Sequence, residues 1–173
     1  MNLAESTVLV TGGAGLVGSH IVDELVKEGA RVIVYDSLVR GQPGHLDWAC
    51  AHGNVELVQA DLRDREAMSK AVARSDYVFH QAASWLRLCQ EDPRLSLETN
   101  IIGTFNLLEE CVKAGVKKVI AASSSSVYGE ASYLPPDQIP PFNHDLFYGA
   151  AKVANEQHSR AFYKKYGLNF VAF

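Results

Sequence analysis

The stretch Thr11-Gly12-Gly13-Ala14-Gly15-Leu16-Val17-Gly18 constrains this chain more than any other. It follows a continuous apolar run, Thr7-Val8-Leu9-Val10, as expected of a strand covered on both faces. Beyond it, Leu16, Val17, Ile21, Val22, Leu25 and Val26 recur at helical spacing until Gly29 stops the pattern. Glycines between a strand and a helix permit a tight turn, close approach of backbone to a pyrophosphate, and close helix-to-strand packing. The helix N-terminus adds free N–H groups and the positive end of a dipole. Gly12, Gly15 and Gly18 satisfy one such pattern, and Gly13, Gly15 and Gly18 satisfy another, so spacing leaves both registers open. The contacts expected from the turn are Gly12, Gly15, Leu16, Val17 and Gly18. An ordinary turn is the bland alternative, and the strand-turn-helix context argues against it.

Arg31 to Asp36 reads as a second strand, closed by an acidic residue 24 positions beyond Gly12. A carboxylate there accepts hydrogen bonds from the adenosine ribose and repels a 2′-phosphate, which favours NAD over NADP. Arg40, four residues on, softens that discrimination.

Further strands are expected at Val55–Ala60, Asp76–His80 and Lys117–Ala122, with Leu168–Phe173 opening a sixth. Long helices are expected over Leu95–Ala114, ended by Gly115, and over Asp145–Tyr166. Ser37–Asn54 reads as loop with a short helix, and Ala131–Asn143, with four prolines, as loop near the site. Strands alternating with helices across short connections give parallel βαβ units. Right-handed crossovers then place helices on both faces, so the predicted class is α/β: a doubly wound parallel sheet (the Rossmann fold) in three αβα layers.

The 173 residues suit one domain, predicted to span the whole chain. Net charge is −4 with no basic stripe, which argues against nucleic acid as a partner. No apolar stretch approaches the roughly 20 residues that span a bilayer, so no membrane partner is expected. The first residues lack the charged and apolar regions of a signal peptide, and a cytoplasmic location is expected. Cys50, Cys89 and Cys111 are odd in number and far apart, which suits reduced thiols and provides no metal site.

Tyr148 and Lys152 lie four residues apart on the last predicted helix, which puts phenol and ammonium on one face. A free tyrosine has a pKa near ~10, and a neighbouring positive charge favours its phenolate. Tyr148 is then a candidate base for a substrate hydroxyl while the cofactor takes the hydride. Ser123 to Ser126 follow the fifth strand at its carboxyl end, where ligands of open α/β sheets bind, and spacing alone does not say which serine acts.

Together these motifs resemble the extended short-chain dehydrogenase/reductase family, in its NAD-dependent nucleotide-sugar epimerase/dehydratase branch. The resemblance covers the whole chain. It places Asp61 and Leu62 at the adenine, matches His80-Gln81-Ala82-Ala83 to the strand-four signature, and aligns Asn100 with a structurally and catalytically placed asparagine. The implied cofactor contacts are the glycine turn, Asp36, Asp61, Leu62, Gln81, Ala82, Ala83, Asn100, Tyr148 and Lys152. The implied catalytic group is Ser124, Tyr148 and Lys152. Sugar 4,6-dehydratases carry an Asp-Glu pair where this chain has Ser125 and Ser126, and decarboxylases carry a Glu where it has Ser126. The form Ser-Ser-Ser-Ser-Val-Tyr-Gly resembles UDP-sugar 4-epimerases, whereas Ala151 stands where the family commonly has Ser.

The resemblance therefore implies NAD-dependent 4-epimerisation of a nucleotide-sugar, UDP-linked, by a homodimer. Family members continue past the sixth strand into a C-terminal substrate lobe, so a chain stopping at Phe173 is expected to be a truncated form. A net NAD(P)-dependent reductase or dehydrogenase is the alternative enzyme. A cofactor-binding module without turnover is the alternative for these 173 residues alone.

Overall fold

The computed structural model describes residues 3–129 and 145–173. Six strands form one parallel sheet: β1 (Thr7–Thr11), β2 (Arg31–Asp36), β3 (Val55–Gln59), β4 (Tyr77–His80), β5 (Lys118–Ala121) and β6 (Phe170–Ala172). Their order is β3-β2-β1-β4-β5-β6. The chain runs outward from β1 to β3 and then returns to the other side of β1. That reversal opens a crevice at the carboxyl ends of β1 and β4, where ligands of open α/β sheets bind.

Seven α-helices are described: α1 (Leu16–Lys27), α2 (Asp47–His52), α3 (Arg65–Val72), α4 (Leu86–Glu91), α5 (Pro93–Ser96), α6 (Thr104–Ala114) and α7 (Phe147–Tyr166). Strand residues alternate between the faces. Leu9, Ile33, Tyr35 and Val78 pack with Met68 of α3, Leu107 and Leu108 of α6, and Phe162 of α7. Val8, Val10, Val32 and Val34 face the other way, under Val22 and Leu25 of α1 and Ala49 of α2. Each fully buried Val, Leu or Ile contributes about 1.5–3 kcal/mol, so both helix layers are held firmly to the sheet.

The expected α/β class and three-layer arrangement are present, and three local features differ from the sequence reading. Helix α3 went unrecognised. Its signals are Asp64, which caps the Ala67 N–H at 3.0 Å, and Met68, Ala71 and Val72 at i, i+3, i+4. The helix expected over Leu95–Ala114 is compound: α5 starts at Pro93, Leu97–Gly103 is π-helical, and α6 follows to its left-handed stop at Gly115, φ 71°. A Cβ at Gly103 would lie 2.9 Å from the Leu62 Cβ, so the wide turn brings helix backbone tight against the loop after β3. The helix expected from Asp145 begins at Phe147, whose N–H is taken by Gln90 Oε1 of α4 at 3.0 Å. The expected loop at Ala131–Asn143 lies outside the described residues.

Candidate active site

A cleft of about 620 Å³ lies over the carboxyl ends of the strands. Its floor is the glycine turn. The Gly12 N–H donates to Tyr35 O of β2 at 2.8 Å, and Gly12 has φ +69°. A Cβ there would meet Ala82 N at 2.7 Å, and one on Gly18 would meet Gly13 Cα at 2.7 Å. Gly13 instead turns towards the sheet, where a Cβ would meet Val34 Cγ1 at 2.9 Å. Structure thus separates the two glycine patterns: Gly12, Gly15 and Gly18 line the cleft, and Gly13 packs on β2. Gly15 caps α1 without a side chain, so the first-turn N–H groups stand open, and Leu16 and Val17, 74% and 61% exposed, line the cleft. This cradle of bare backbone and positive helix end fits a pyrophosphate.

Asp36 ends β2 beside the turn and is buried. One carboxylate oxygen accepts the Ala14 N–H at 3.0 Å and the other the Leu38 N–H at 2.8 Å. Each oxygen keeps a lone pair for a ribose hydroxyl, so the residue that would bind the ribose also ties the glycine turn to the next loop. Beyond β3, Asp61 lines the cleft with both oxygens taken by Arg63, at 2.8 and 2.9 Å. That guanidinium holds the carboxyl of Asp61 below the usual range. Leu62 lines the same wall and is 4% exposed.

The wall after β4 consists of Gln81, Ala82, Ala83 and Ser84. It is fixed from below by His80, whose ring is buried. Nε2 lies 2.9 Å from Thr104 Oγ1, and that hydroxyl donates to Asn100 O at 2.7 Å. A hydroxyl that donates elsewhere must accept here, so Nε2 carries the proton and Nδ1 accepts from Thr11 Oγ1 at 2.7 Å. Thr11 Oγ1 in turn accepts the Ala82 N–H at 3.3 Å. Burial, reinforced by the charge of Lys152, pushes His80 down to about 3, so the ring stays neutral. One directional chain of hydrogen bonds therefore joins β1, β4 and α6.

Asn100, expected among the cofactor contacts, does not line the cleft. Its amide is consumed by neighbouring backbone: Oδ1 accepts the Ser84 N–H at 2.7 Å, and Nδ2 donates to Ser84 O at 3.1 Å and Cys89 Sγ at 3.3 Å. With both ends of the amide engaged, Asn100 shapes the cleft through Ser84.

Tyr148 and Lys152, one turn apart on α7, both line the cleft beside Ala122. Lys152 is 6% exposed; its Nζ donates to Ala122 O at 2.7 Å and lies 5.6 Å from the centre of the Tyr148 ring. The ammonium therefore meets the ring face. The depressed tyrosine expected from this pair is not found. Burial, with the Cys89 sulfur adding to it, pushes the Tyr148 hydroxyl up, and a hydrogen bond with Ser124 opposes that shift. Ser124 itself lies outside the cleft lining and caps the short 3-10 turn Ser125–Tyr128, accepting the Ser126 N–H at 3.1 Å. One turn beyond Lys152, Glu156 accepts a short hydrogen bond from Ser123 Oγ and anchors the serine segment to α7.

Burial pulls Lys152 down from 10.5 to about 8. Between those values the unfolded chain retains a proton that the folded chain has released, so the contribution of Lys152 to stability rises with pH from 8 to 10.5, against the opposite contributions of the buried Cys111 thiol and Tyr35 hydroxyl. Denaturation series across that window should show the wild type gaining stability relative to Lys152→Met as pH rises. An equal slope in both would remove that contribution.

Sequence reasoning missed Arg63, Ser84, Trp85 and Glu156. For Glu156 the i+4 step from Lys152 was a usable signal. The others reach the cleft only through the packing of separate loops. The three cysteines are free, with Cys89 and Cys111 buried, and no cluster of metal-binding side chains occurs among the described residues.

Residues 8–173 match the model of the NAD dependent epimerase/dehydratase family. A putative UDP-glucose 4-epimerase of Methanocaldococcus jannaschii is 37% identical over 166 residues, covering 94% of this chain and 53% of that protein. A UDP-N-acetyl-alpha-D-glucosaminuronate decarboxylase of Bacillus cytotoxicus is 38% identical over 145 residues, covering 82% of this chain and 42% of that protein. The structure of Thermus thermophilus UDP-glucose 4-epimerase in complex with NAD superposes with a TM-score of 0.88 at 37% identity, covering 96% of this chain and 53% of that one. The chain thus spans about half the length of the curated relatives it matches. With this match over nearly its whole length, and a cleft whose glycine cradle and acidic strand end fit NAD, the chain belongs to the NAD-dependent epimerase/dehydratase family.

Proposed function

We propose that this chain is the cofactor-binding part of an NAD-dependent nucleotide-sugar 4-epimerase acting on a UDP-linked sugar. The observation that carries the reading is the serine segment. Ser124 hydrogen-bonds to Tyr148 above Lys152, while its successors Ser125 and Ser126 provide no carboxyl group for dehydration or decarboxylation. This separates the epimerase reading from the decarboxylase among the relatives.

Bound NAD supplies the acceptor, and later the donor, of a hydride at the sugar C4. The protein's own groups handle the proton. Tyr148 takes it from the 4-hydroxyl, Ser124 shares the same hydrogen bond, and Lys152 keeps a positive charge at the ring face of the tyrosine. The returned proton follows the same path once the keto sugar presents its other face. Gly12, Gly15 and Gly18 hold the pyrophosphate, Asp36 the ribose, and Asp61 with Leu62 the adenine end. Ala82 and Ala83 form the wall towards the nicotinamide. No helix among the described residues is long and apolar enough to cross a membrane. We assign the enzyme to the cytoplasm as a homodimer.

Incubating the full-length enzyme with UDP-glucose should yield UDP-galactose with no steady change at the nicotinamide absorbance band. A steady absorbance change with added NAD would establish the dehydrogenase reading instead. Calorimetric NAD binding without any product would establish a cofactor-binding module.

A further inference from the structure

Two cleft-lining side chains outside the glycine turn and α7 stand against each other. The Arg40 guanidinium lies over the Trp85 indole, 4.7 Å from its centre. Arg40 belongs to the loop after β2 and Trp85 to the loop after β4, and β1 lies between those strands in the sheet. The contact therefore passes over the carboxyl end of β1, where the glycine turn sits.

The Arg40 loop is fastened in that position. The Gln42 N–H donates to Ala14 O at 3.0 Å, and the His45 ring bonds the same oxygen at 2.9 Å. Gly41 is packed so closely that a Cβ would meet Asp36 Oδ1 at 2.7 Å. Leu38 adopts φ 58°, a left-handed conformation that non-glycine residues hold only when their surroundings enforce it. Among the described residues Arg40 makes no ion pair with a carboxylate. An unpaired guanidinium is thus held on an aromatic plate in the cleft that the open end of α1 also lines.

We propose that Arg40 binds the cofactor pyrophosphate, and that its stacking on Trp85 makes the two loops a strap across the bound dinucleotide. The helix end presents positive potential from below, and the guanidinium supplies a full charge with planar donors from above. The alternative anion in this cleft is a 2′-phosphate. Strand order argues against it, because that group belongs beside Asp36 on β2, whereas Trp85 draws the guanidinium towards β4. The inference rests on a dinucleotide in the cleft and not on the sugar chemistry proposed above.

Calorimetry with NAD and NADP on wild type, Arg40→Leu, Arg40→Lys and Trp85→Leu tests it. Arg40 is exposed, so these variants keep the fold, which circular dichroism verifies. Arg40→Leu should weaken NAD binding by about ten- to a hundredfold, the size of a lost hydrogen bond between charged groups. Added salt should weaken NAD binding more steeply in the wild type than in Arg40→Leu. Arg40→Lys and Trp85→Leu should fall between the two. In a Trp48→Phe background Trp85 is the sole indole, and NAD should quench its emission. Unchanged NAD affinity in Arg40→Leu, a loss confined to NADP, or an unresponsive Trp85 would each overturn the strap. Failure of the wild type to bind NAD at all would instead strike the cofactor assignment.

Discussion

Replacing Tyr148 by Phe is expected to lower turnover by about 10²–10⁴-fold, the usual weight of a positioned acid–base group, while NAD affinity and folding stay close to wild type. The substitution removes one hydroxyl and leaves the ring that lines the cleft and lies over the Lys152 ammonium. What disappears is the proton acceptor and its hydrogen bond with Ser124. Because burial pushes this hydroxyl up, the protein does not by itself make Tyr148 a base at neutral pH. The positive nicotinamide ring of bound NAD favours the phenolate, so proton removal is coupled to cofactor binding. Single-turnover mixing with UDP-glucose, beside calorimetry with NAD, checks turnover and affinity together. Undiminished turnover would remove Tyr148 as the base, and a parallel loss of NAD binding would make it a cofactor-holding residue.

The features readable from sequence are those that act over a few residues. The apolar run before Gly12, the helical repeat after it and the Tyr148–Lys152 spacing are local, and the structure places the glycine turn between the first two in one cleft with the Tyr148–Lys152 pair. The doubly wound parallel class is readable because alternating strands and helices leave few topologies. What escaped depends on contacts between distant segments. The π-helical Leu97–Gly103 arises where Asn100 turns its amide onto Ser84 and Gly103 presses on Leu62, and none of those pairings is written in the helix's own periodicity. The hold of Asn100 on the Ser84 backbone is likewise absent from its motif. The burial of the Tyr148 hydroxyl escapes for a related reason. Spacing places Lys152 nearby, but only the fold sends its Nζ to Ala122 O and buries the phenol. His80 shows the same division: its motif was legible, whereas its tautomer follows from Thr11 and Thr104, which are 93 residues apart in sequence.

Gly12→Ala is expected to abolish NAD binding detectable by calorimetry. Two penalties coincide there. The residue sits at φ +69°, which costs an L side chain about 1–2 kcal/mol. Its methyl group would also press on the Ala82 backbone at 2.7 Å, where overpacking costs about 1–3 kcal/mol. Relief by moving the β4 loop is resisted, because Ala82 is tied through Thr11 to the buried His80. Gly18→Ala presses most closely on the Gly12 carbonyl oxygen and meets Gly13 Cα at 2.7 Å; it has no positive φ, and its relief is to lift α1 from the turn. Gly15→Ala meets only Gly12 O at 3.2 Å in an extended backbone. Gly12→Ala and Gly18→Ala should therefore both lose far more affinity than Gly15→Ala, with the larger falls in melting temperature at the same two positions. Equal losses at all three positions would mean that direct steric conflict between the added methyl groups and the pyrophosphate controls affinity. A graded loss that tracks stability would show that the turn binds through the shape its neighbours impose on it.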